Sequence, residues 1–190
     1  MKNEEKLALI ERFKQHAGVK EILLSDVGYM QGMSGNGLTT EKGNENSWID
    51  ISIMAVPANF FSFMNIPIEQ GRLPQTEKDI VVDNVWQEMQ KKDVIGMNLY
   101  SGNTDYTICG ISAPFQANVY NRSSGYAFLP YDPSVYIGHC YIKSHPGQQR
   151  EVARWIEKVY REMLPENITY QAKTFLDDIH VLQALEYNLK

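Results

Sequence analysis

The fold of this chain is decided by six segments that follow one another in this order: Val56-Pro57-Ala58-Asn59-Phe60-Phe61, Met64-Asn65-Ile66-Pro67, Gln70-Gly71-Arg72-Leu73, Asp79-Ile80-Val81-Val82-Asp83-Asn84, Val94-Ile95-Gly96 and Tyr106-Thr107-Ile108-Cys109-Gly110-Ile111. Ile80–Val82 and Tyr106–Ile111 are apolar runs of strand length. Proline ahead of the aromatic pair predicts a short helix, because proline is tolerated in a first helical turn. Gly71, beside Arg72, indicates a boundary between two structural segments of the chain.

Length and composition are those of an ordinary globular protein. The chain has 190 residues, 43% hydrophobic and 22% charged, which suits one domain of one or two lobes. A net charge of −5 leaves no broad basic surface for nucleic acid or anionic lipid. No apolar run approaches the roughly 20 residues that cross a bilayer, and the charged start Met1–Lys6 predicts no signal peptide.

The rest of the chain predicts further helices and strands. The patterns indicate a helix over Glu4–His16, strands over Val19–Val27 and Trp48–Val56, a short helix over Val85–Lys91, strands over Tyr126–Pro130 and Cys140–Lys143, a helix from Pro146 to Leu164, a strand over Ile168–Tyr170 and a helix from Thr174 to the end. Ser101–Thr104 predicts a hairpin turn, and the glycine-rich segment Gly28–Asn46 predicts a long loop.

The helix from Pro146 has two distinct sides. Its apolar residues fall on one stripe and its basic residues outside it. The apolar stripe comprises Val152, Trp155, Ile156, Val159 and Met163, and the basic residues are Arg150, Arg154, Lys158 and Arg161.

In their order and spacing, the six central segments resemble the MacB-like periplasmic core domain of FtsX-type permeases, the membrane subunits of a class of ABC transporters. The shared pattern is an aromatic pair, a glycine-arginine pair, an apolar strand that ends in asparagine, an isoleucine-glycine pair and a strand of the form Tyr-Thr-Ile-x-Gly-Ile.

The resemblance implies an α+β fold with two lobes. A porter-like α/β lobe of two similar halves would comprise residues 1–75 and 137–190. A small mixed α/β lobe, residues 76–136, would be inserted between the halves.

The resemblance also implies a non-catalytic protein. The chain would lie on the periplasmic side of the cell inner membrane and transmit ATP-driven conformational change to a periplasmic substrate or envelope partner. Expected partners are a cytoplasmic ATPase subunit, reached through transmembrane helices outside this stretch, a second permease copy and a periplasmic or outer-membrane protein. The alternative is a stand-alone module that binds a small molecule or peptide between its lobes.

Catalytic signatures are incomplete, and the sequence predicts no catalytic or cofactor-binding residue. Ser34 follows a glycine at the spacing of a nucleophile elbow, but Asn36 stands where the second glycine is required. The nearby glycines lack the Gly-Lys-Ser/Thr of a phosphate loop. Asp177 and Asp178 adjoin at a predicted helix start, where acidic residues complement the helix dipole.

The sequence also predicts no metal site and no disulfide. His139 and Cys140 are adjacent and would point to opposite faces of a strand, so they cannot easily share one ion with His145. Two cysteines are too few for a disulfide framework. Cys109 and Cys140 are expected to be free core thiols.

Aromatic residues leave two interpretations open. Tyr120, Tyr126, Tyr131 and Tyr136 cluster around a polar stretch, and tyrosine-rich loops form contact surfaces. Packing on a strand face is the commoner explanation. The loop 117–124 is the expected contact surface.

Two structural expectations complete the prediction from sequence. The helices over residues 6–16 and 174–190 are expected to be adjacent, because both would meet the same membrane. Four apolar side chains of the central segments are expected to be largely buried, namely Phe60, Phe61, Ile66 and Leu73.

Overall fold

The computed structural model describes residues 2–26, 28, 37–115 and 125–164. Its helices are α1 (Asn3–Phe13), α2 (Phe60–Met64), α3 (Asn84–Gln90) and α4 (Gln149–Met163). Its strands are β1 (Val19–Ser25), β2 (Ser52–Val56), β3 (Ile68–Gly71), β4 (Asp79–Asp83), β5 (Asn98–Ser101), β6 (Thr104–Ser112), β7 (Tyr126–Pro130) and β8 (His139–Ser144). A short 3₁₀ helix covers Glu45–Ser47.

Six of the strands form one mixed sheet in the order β2-β7-β4-β6-β3, with β5 also paired to β6. β2 runs parallel to β7, and β4 runs parallel to β6. β4 is antiparallel to β7, so β2 and β7 end at the edge of the sheet where β4 and β6 begin. β1 and β8 form a separate two-stranded sheet.

The inner strands of the six-stranded sheet, β4, β6 and β7, are buried on both faces, which explains why they read as apolar runs, whereas at its margin β3 is largely exposed and β5 is partly buried. In β4, Val81 packs in one core cluster, whereas Ile80 and Val82 pack in the other. A bulge in the pairing of β4 with β6 adds one residue to β6. Consequently Ile108 and Ile111, three residues apart, reach the same cluster.

The first core cluster is built around phenylalanine rings. Phe60 and Phe61 of α2 pack on Phe128 of β7 at centroid distances of 5.5 and 5.2 Å. Phe115 packs edge-on against Phe60 and against Tyr126. Such tilted and edge-on pairs add to the free energy gained by burying the rings.

The chain divides into two compact units, residues 21–143 and residues 1–20 with 144–190. In the second unit α1 packs on α4. Leu9, Ile10 and Phe13 of α1 are buried, as are Val152 and Val159 of α4. The lobe bounds expected from the sequence, 1–75 with 137–190 and 76–136, stay a prediction.

The structure confirms most of the predicted elements and corrects three details. β2 begins at Ser52, because the backbone at Trp48 and Ile49 pairs with Thr39 and Leu38 instead of β7. Trp48 is therefore 67% exposed. Leu73 is also exposed, because it follows the end of β3 and lies outside the core, and Met163 is exposed at the last turn of α4.

Several predictions fall outside the described residues. They are the strand over Ile168–Tyr170, the helix from Thr174, its adjacency to the first helix, most of the glycine-rich loop, and the loop 117–124. Of the other core predictions, Phe60 and Phe61 are buried as expected, and Ile66 is partly buried against the first cluster.

Candidate functional site

A half-open cavity of about 650 Å³ lies at the edge of the sheet where β2 and β7 end and β4 begins. This volume is in the range of small-molecule sites. The buried apolar lining comprises Val56, Pro57, Phe61 and Phe128, and the exposed polar lining comprises Gln75, Thr76, Glu77, Lys78, Thr104 and Asp132. The cavity therefore has an apolar floor and a polar rim.

One wall of the cavity, residues 74–78, is held by an ion pair. Arg72 donates two hydrogen bonds to the carboxylate of Asp79, of 2.8 and 2.9 Å. The same carboxylate accepts from the backbone N–H groups of Gln75 and Thr76. The Arg72 guanidinium and these N–H groups hold the pKa of Asp79 well below its ordinary value. We call Arg72 and Asp79 the clamp.

The glycines beside the clamp explain the glycine-arginine pair in the sequence. Gly71 has a φ of 73°, which side chains other than glycine rarely adopt. A Cβ atom at Gly71 would collide with the carbonyl oxygen of Cys109, and one at Gly110 would collide with the carbonyl oxygen of Arg72. Close approach of β3 to β6 thus places Arg72 for its contact with Asp79.

The opposite wall, residues 130–132, is fixed by a turn. The N–H of Tyr131 donates to the Val56 carbonyl at 3.0 Å, and its hydroxyl donates to the Tyr136 carbonyl. Asp132 accepts from the N–H and the hydroxyl of Ser134, and these bonds lower the pKa of Asp132. Burial raises the pKa of Tyr131 to about 12. At neutral pH this wall therefore presents an ionised carboxylate and a neutral phenol.

The charges on the rim are mostly negative. Lys78 forms an exposed ion pair of 3.1 Å with Asp105. Glu77 makes no ion pair with the described residues, and the carboxylate of Asp132, which accepts from Ser134, makes none within that part of the chain either. The arrangement is suited to binding an apolar group with a polar or cationic end.

The opposite end of β4 is closed and carries a buried carboxyl group. Asp83 is fully buried, and its Oδ1 caps α3 by accepting from the N–H of Trp86 at 3.1 Å. Its Oδ2 makes no hydrogen bond of normal geometry with any described residue. Burial raises the pKa of Asp83, while N–H groups of Trp86, Tyr126 and Phe115 oppose that rise.

The histidines and cysteines considered as ligands lie apart from the cavity lining. His139 stacks on Tyr141 at 6.4 Å, and Cys109 and Cys140 are free thiols, the first buried and the second partly buried. In residues 2–26, 28, 37–115 and 125–164, no group of three His, Cys, Asp or Glu side chains could hold a metal ion. Ser34, Asp177 and Asp178 fall outside the described residues.

Sequence reasoning missed both devices that fix the cavity walls. The clamp joins residues seven positions apart, and no local rule pairs them. The second wall carried a usable signal, because Asp132-Pro133-Ser134 is a pattern typical of a turn in which aspartate accepts from the backbone two residues on.

No helix in the described part of the chain is both long and apolar enough to cross a membrane.

Comparison with known proteins gives matches in structure only. No protein-family model matches the sequence, and no curated protein matches it significantly. The periplasmic region of MacB from Actinobacillus actinomycetemcomitans is similar in structure, with a TM-score of 0.61 and 14% identity over 95% of this chain and 82% of that one.

Two further solved structures are similar. One is described as a domain of a permease protein from Porphyromonas gingivalis, with a TM-score of 0.60 and 12% identity over 88% of this chain and 85% of that one. The other is the extracellular domain of the ABC-type transporter YknZ from Gram-positive bacteria, with a TM-score of 0.58 and 10% identity over 82% of each chain. The chain therefore has the α+β fold of these transporter domains, as the sequence predicted.

Proposed function

We propose that this chain is the extracytoplasmic domain of an ABC transporter permease and that it is non-catalytic. It would lie on the periplasmic side of the cell inner membrane. The observation that carries the proposal is the fold, which the chain shares with the periplasmic region of MacB and the extracellular domain of YknZ over most of its length. The six sequence segments that resemble this family support it independently.

The proposed role is to transmit ATP-driven movement to a periplasmic substrate or an envelope partner. Such a role needs a domain that moves as a stiff body. The six-stranded sheet is packed on both faces, and closely packed interiors deform little under load. Two of the surface loops of the same unit are held by the clamp and by the Asp132–Ser134 turn.

The proposed partners are a cytoplasmic ATPase subunit, a second permease copy and a periplasmic or outer-membrane protein. The ATPase would act through transmembrane helices outside this stretch. The loop 117–124 stays the predicted contact surface for an envelope partner.

The test is purification of the full gene product from membranes of its host with an affinity tag. The proposal predicts that an ATPase subunit is recovered with it and that ATP hydrolysis depends on that subunit. A catalytic-site variant of the ATPase is the matched control, since it should be recovered equally and hydrolyse no ATP. Recovery of the tagged protein in the aqueous fraction without an ATPase would contradict the proposal.

The cavity favours a second candidate, a stand-alone module that binds a small molecule or peptide. Its apolar floor and fixed walls suit a ligand. A thermal-shift screen of metabolites and short peptides distinguishes the two. A compound that raises Tm in the native chain and not in a Phe61→Ala chain, together with absence of an ATPase partner, would favour the second candidate.

A further inference from the structure

The exposed side of α4 carries a narrow stripe of basic side chains. Its members are Arg150, Arg154, Lys158 and Arg161. At 100° per residue these four lie within about 80° of arc, and at 1.5 Å per residue they extend for about 16 Å along the helix. All four are exposed, and Arg161 is 79% exposed. We call these four residues the basic stripe.

The stripe lies opposite the side of α4 that packs in its own unit. Val152 and Val159, which are buried, project about half a turn away from it. Only Lys158, at the edge of the stripe, reaches the contact between α1 and α4: its Nζ lies 6.0 Å from the centroid of the Trp155 ring, and it shares Glu162 with Arg12 of α1. All four side chains are exposed, so burial does not account for the stripe.

Carboxylates line both flanks of the stripe and pair with its C-terminal half. Arg161 bonds to Glu157 at 2.6 Å, and Lys158 approaches Glu162 to 3.7 Å. Glu151 lies on the same flank as Glu162, by its position in the helix.

The N-terminal half of the stripe has no such partners. Arg150 and Arg154 make no ion pair within the described residues. Arg150 also stands in the first turn of α4, where the helix dipole disfavours a positive charge. Arg150, which has no ion pair among the described residues and lies in the first turn of α4, lowers the stability of the free protein, as residues kept for a contact do.

We propose that the basic stripe of α4 is a docking site for an acidic α-helix of a partner protein. A helix of about 10 Å diameter fits a stripe of this width, and carboxylates spaced at three and four residues would meet the four basic side chains in register. Arginine suits such pairs because its planar guanidinium binds carboxylate through two hydrogen bonds.

The carboxylates on both flanks of the basic stripe favour a partner with a narrow anionic surface and disfavour one with a flat anionic surface. A planar anionic surface, such as a bilayer, would bring negative charges over Glu157 on one side and Glu162 on the other. A helix places its carboxylates over the stripe alone. The chain as a whole also carries a net charge of −5, so it is repelled from extended anionic surfaces. This inference rests on α4 itself and is independent of the proposed transporter role.

The test uses the 190-residue chain and two synthetic helical peptides of identical composition. One peptide carries four glutamates on one side, at the spacing of the stripe, and the other carries them around the helix. Calorimetry at low salt should show binding of the first, weakened about tenfold in the second. The Arg150→Gln, Arg154→Gln double variant should weaken binding of the first peptide about tenfold, as expected for the loss of two exposed ion pairs.

The matched control is a Lys42→Gln, Lys92→Gln double variant, which changes net charge equally at exposed sites of the other compact unit. It should bind as the native chain does. Circular dichroism establishes that both variants are folded, as their exposed positions predict. Equal binding of both peptides, an equal loss in the control, or no peptide binding would overturn the proposal. Preferential binding to vesicles of phosphatidylglycerol and phosphatidylcholine would assign the stripe to a membrane and overturn it too.

Discussion

The two ends of β4 carry the same residue type in opposite surroundings. At its start, Asp79 is nearly buried and accepts four hydrogen bonds from Arg72, Gln75 and Thr76, beside an open cavity. At its end, Asp83 is fully buried; its Oδ1 accepts from the N–H of Trp86, and its Oδ2 makes no hydrogen bond of normal geometry with any described residue. The pKa is lowered at the first carboxyl group and raised at the second.

The difference shows how one short strand serves two purposes. The paired carboxylate organises a surface loop at the open end, since its partners belong to the chain just before it. The carboxyl group of Asp83 caps α3 at the other end, where the cost of burying its charge exceeds what the neighbouring N–H groups return. We therefore expect the ionised carboxylate of Asp79 to stabilise the folded protein. We expect ionisation of Asp83 to destabilise it.

The largest effect is expected from the ring that forms the floor of the open end. Phe61 is 4% exposed and packs on Phe60 and Phe128. Phe61→Ala should lower the free energy of unfolding by about 3–5 kcal/mol, the usual range for aromatic truncation in a core. Chemical denaturation measures it, and a change below about 1 kcal/mol would refute the role of this ring.

Leu73 provides the control for that experiment. It lies near the same end of β4 and is 47% exposed. Leu73→Ala should change stability by less than about 0.5 kcal/mol, because an exposed side chain loses little buried area. An equal loss in both variants would mean that the measurement does not report core packing.

The next largest effect is expected from the clamp. Asp79→Ala should destabilise by about 1.5–3 kcal/mol, the range for hydrogen bonds to a charged group. Asp105→Ala is the matched control: it removes the exposed pair with Lys78 and should cost less than about 1 kcal/mol.

The pH dependence of the clamp follows from the lowered pKa of Asp79. Because the folded pKa lies below the unfolded one, the clamp stabilises fully above the ordinary carboxyl range and loses its effect as the pH falls through that range and below it. Native chain and Asp79→Ala should therefore converge in stability in acid. A difference that grows as the pH falls would contradict this assignment.

The smallest effect is expected at Asp83, with the opposite sign. Its raised pKa means that the carboxyl group favours folding when protonated, and that this contribution is lost as the pH rises through the folded pKa. Asp83→Asn keeps an acceptor for the Trp86 N–H and cannot ionise. Denaturation should find the variant about 1 kcal/mol more stable than the native chain at about pH 8, and no more stable at about pH 4. Lower stability of the variant at both pH values would mean that the ionised carboxylate is well paired.

The sequence predicted the strands of the sheet because burial on both faces leaves a plain signal. Ile80-Val81-Val82 and Tyr126–Pro130 read as apolar runs bounded by turn residues. The amphipathic pattern of α4 likewise gave its buried residues and its basic side. For the described residues, the hydrophobic pattern of the sequence agrees with the structure wherever a whole face of a strand or helix is buried.

The prediction from sequence was wrong where an apolar residue lies in an exposed environment. Leu73 and Trp48 are apolar in type but exposed, because the backbone leaves the sheet at those points. The clamp could not be predicted because Arg72 and Asp79 meet only after the chain turns back between them. The cavity is lined by residues of three strands, β2, β6 and β7, and of the segments beside them, so no single segment of sequence encodes it.

The central claim, that this chain is the extracytoplasmic domain of a permease, is tested most directly by its side of the membrane. Val135 is 78% exposed, so Val135→Cys introduces an accessible thiol. In a Cys140→Ser background, the other thiol of this chain is that of Cys109, which is buried. A membrane-impermeant maleimide is applied to host cells that carry the full gene product, with the Cys140→Ser protein and a cytoplasmic thiol protein as controls. The account predicts full labelling of Val135→Cys in intact cells and no increase after lysis. Labelling that appears only after lysis would contradict it.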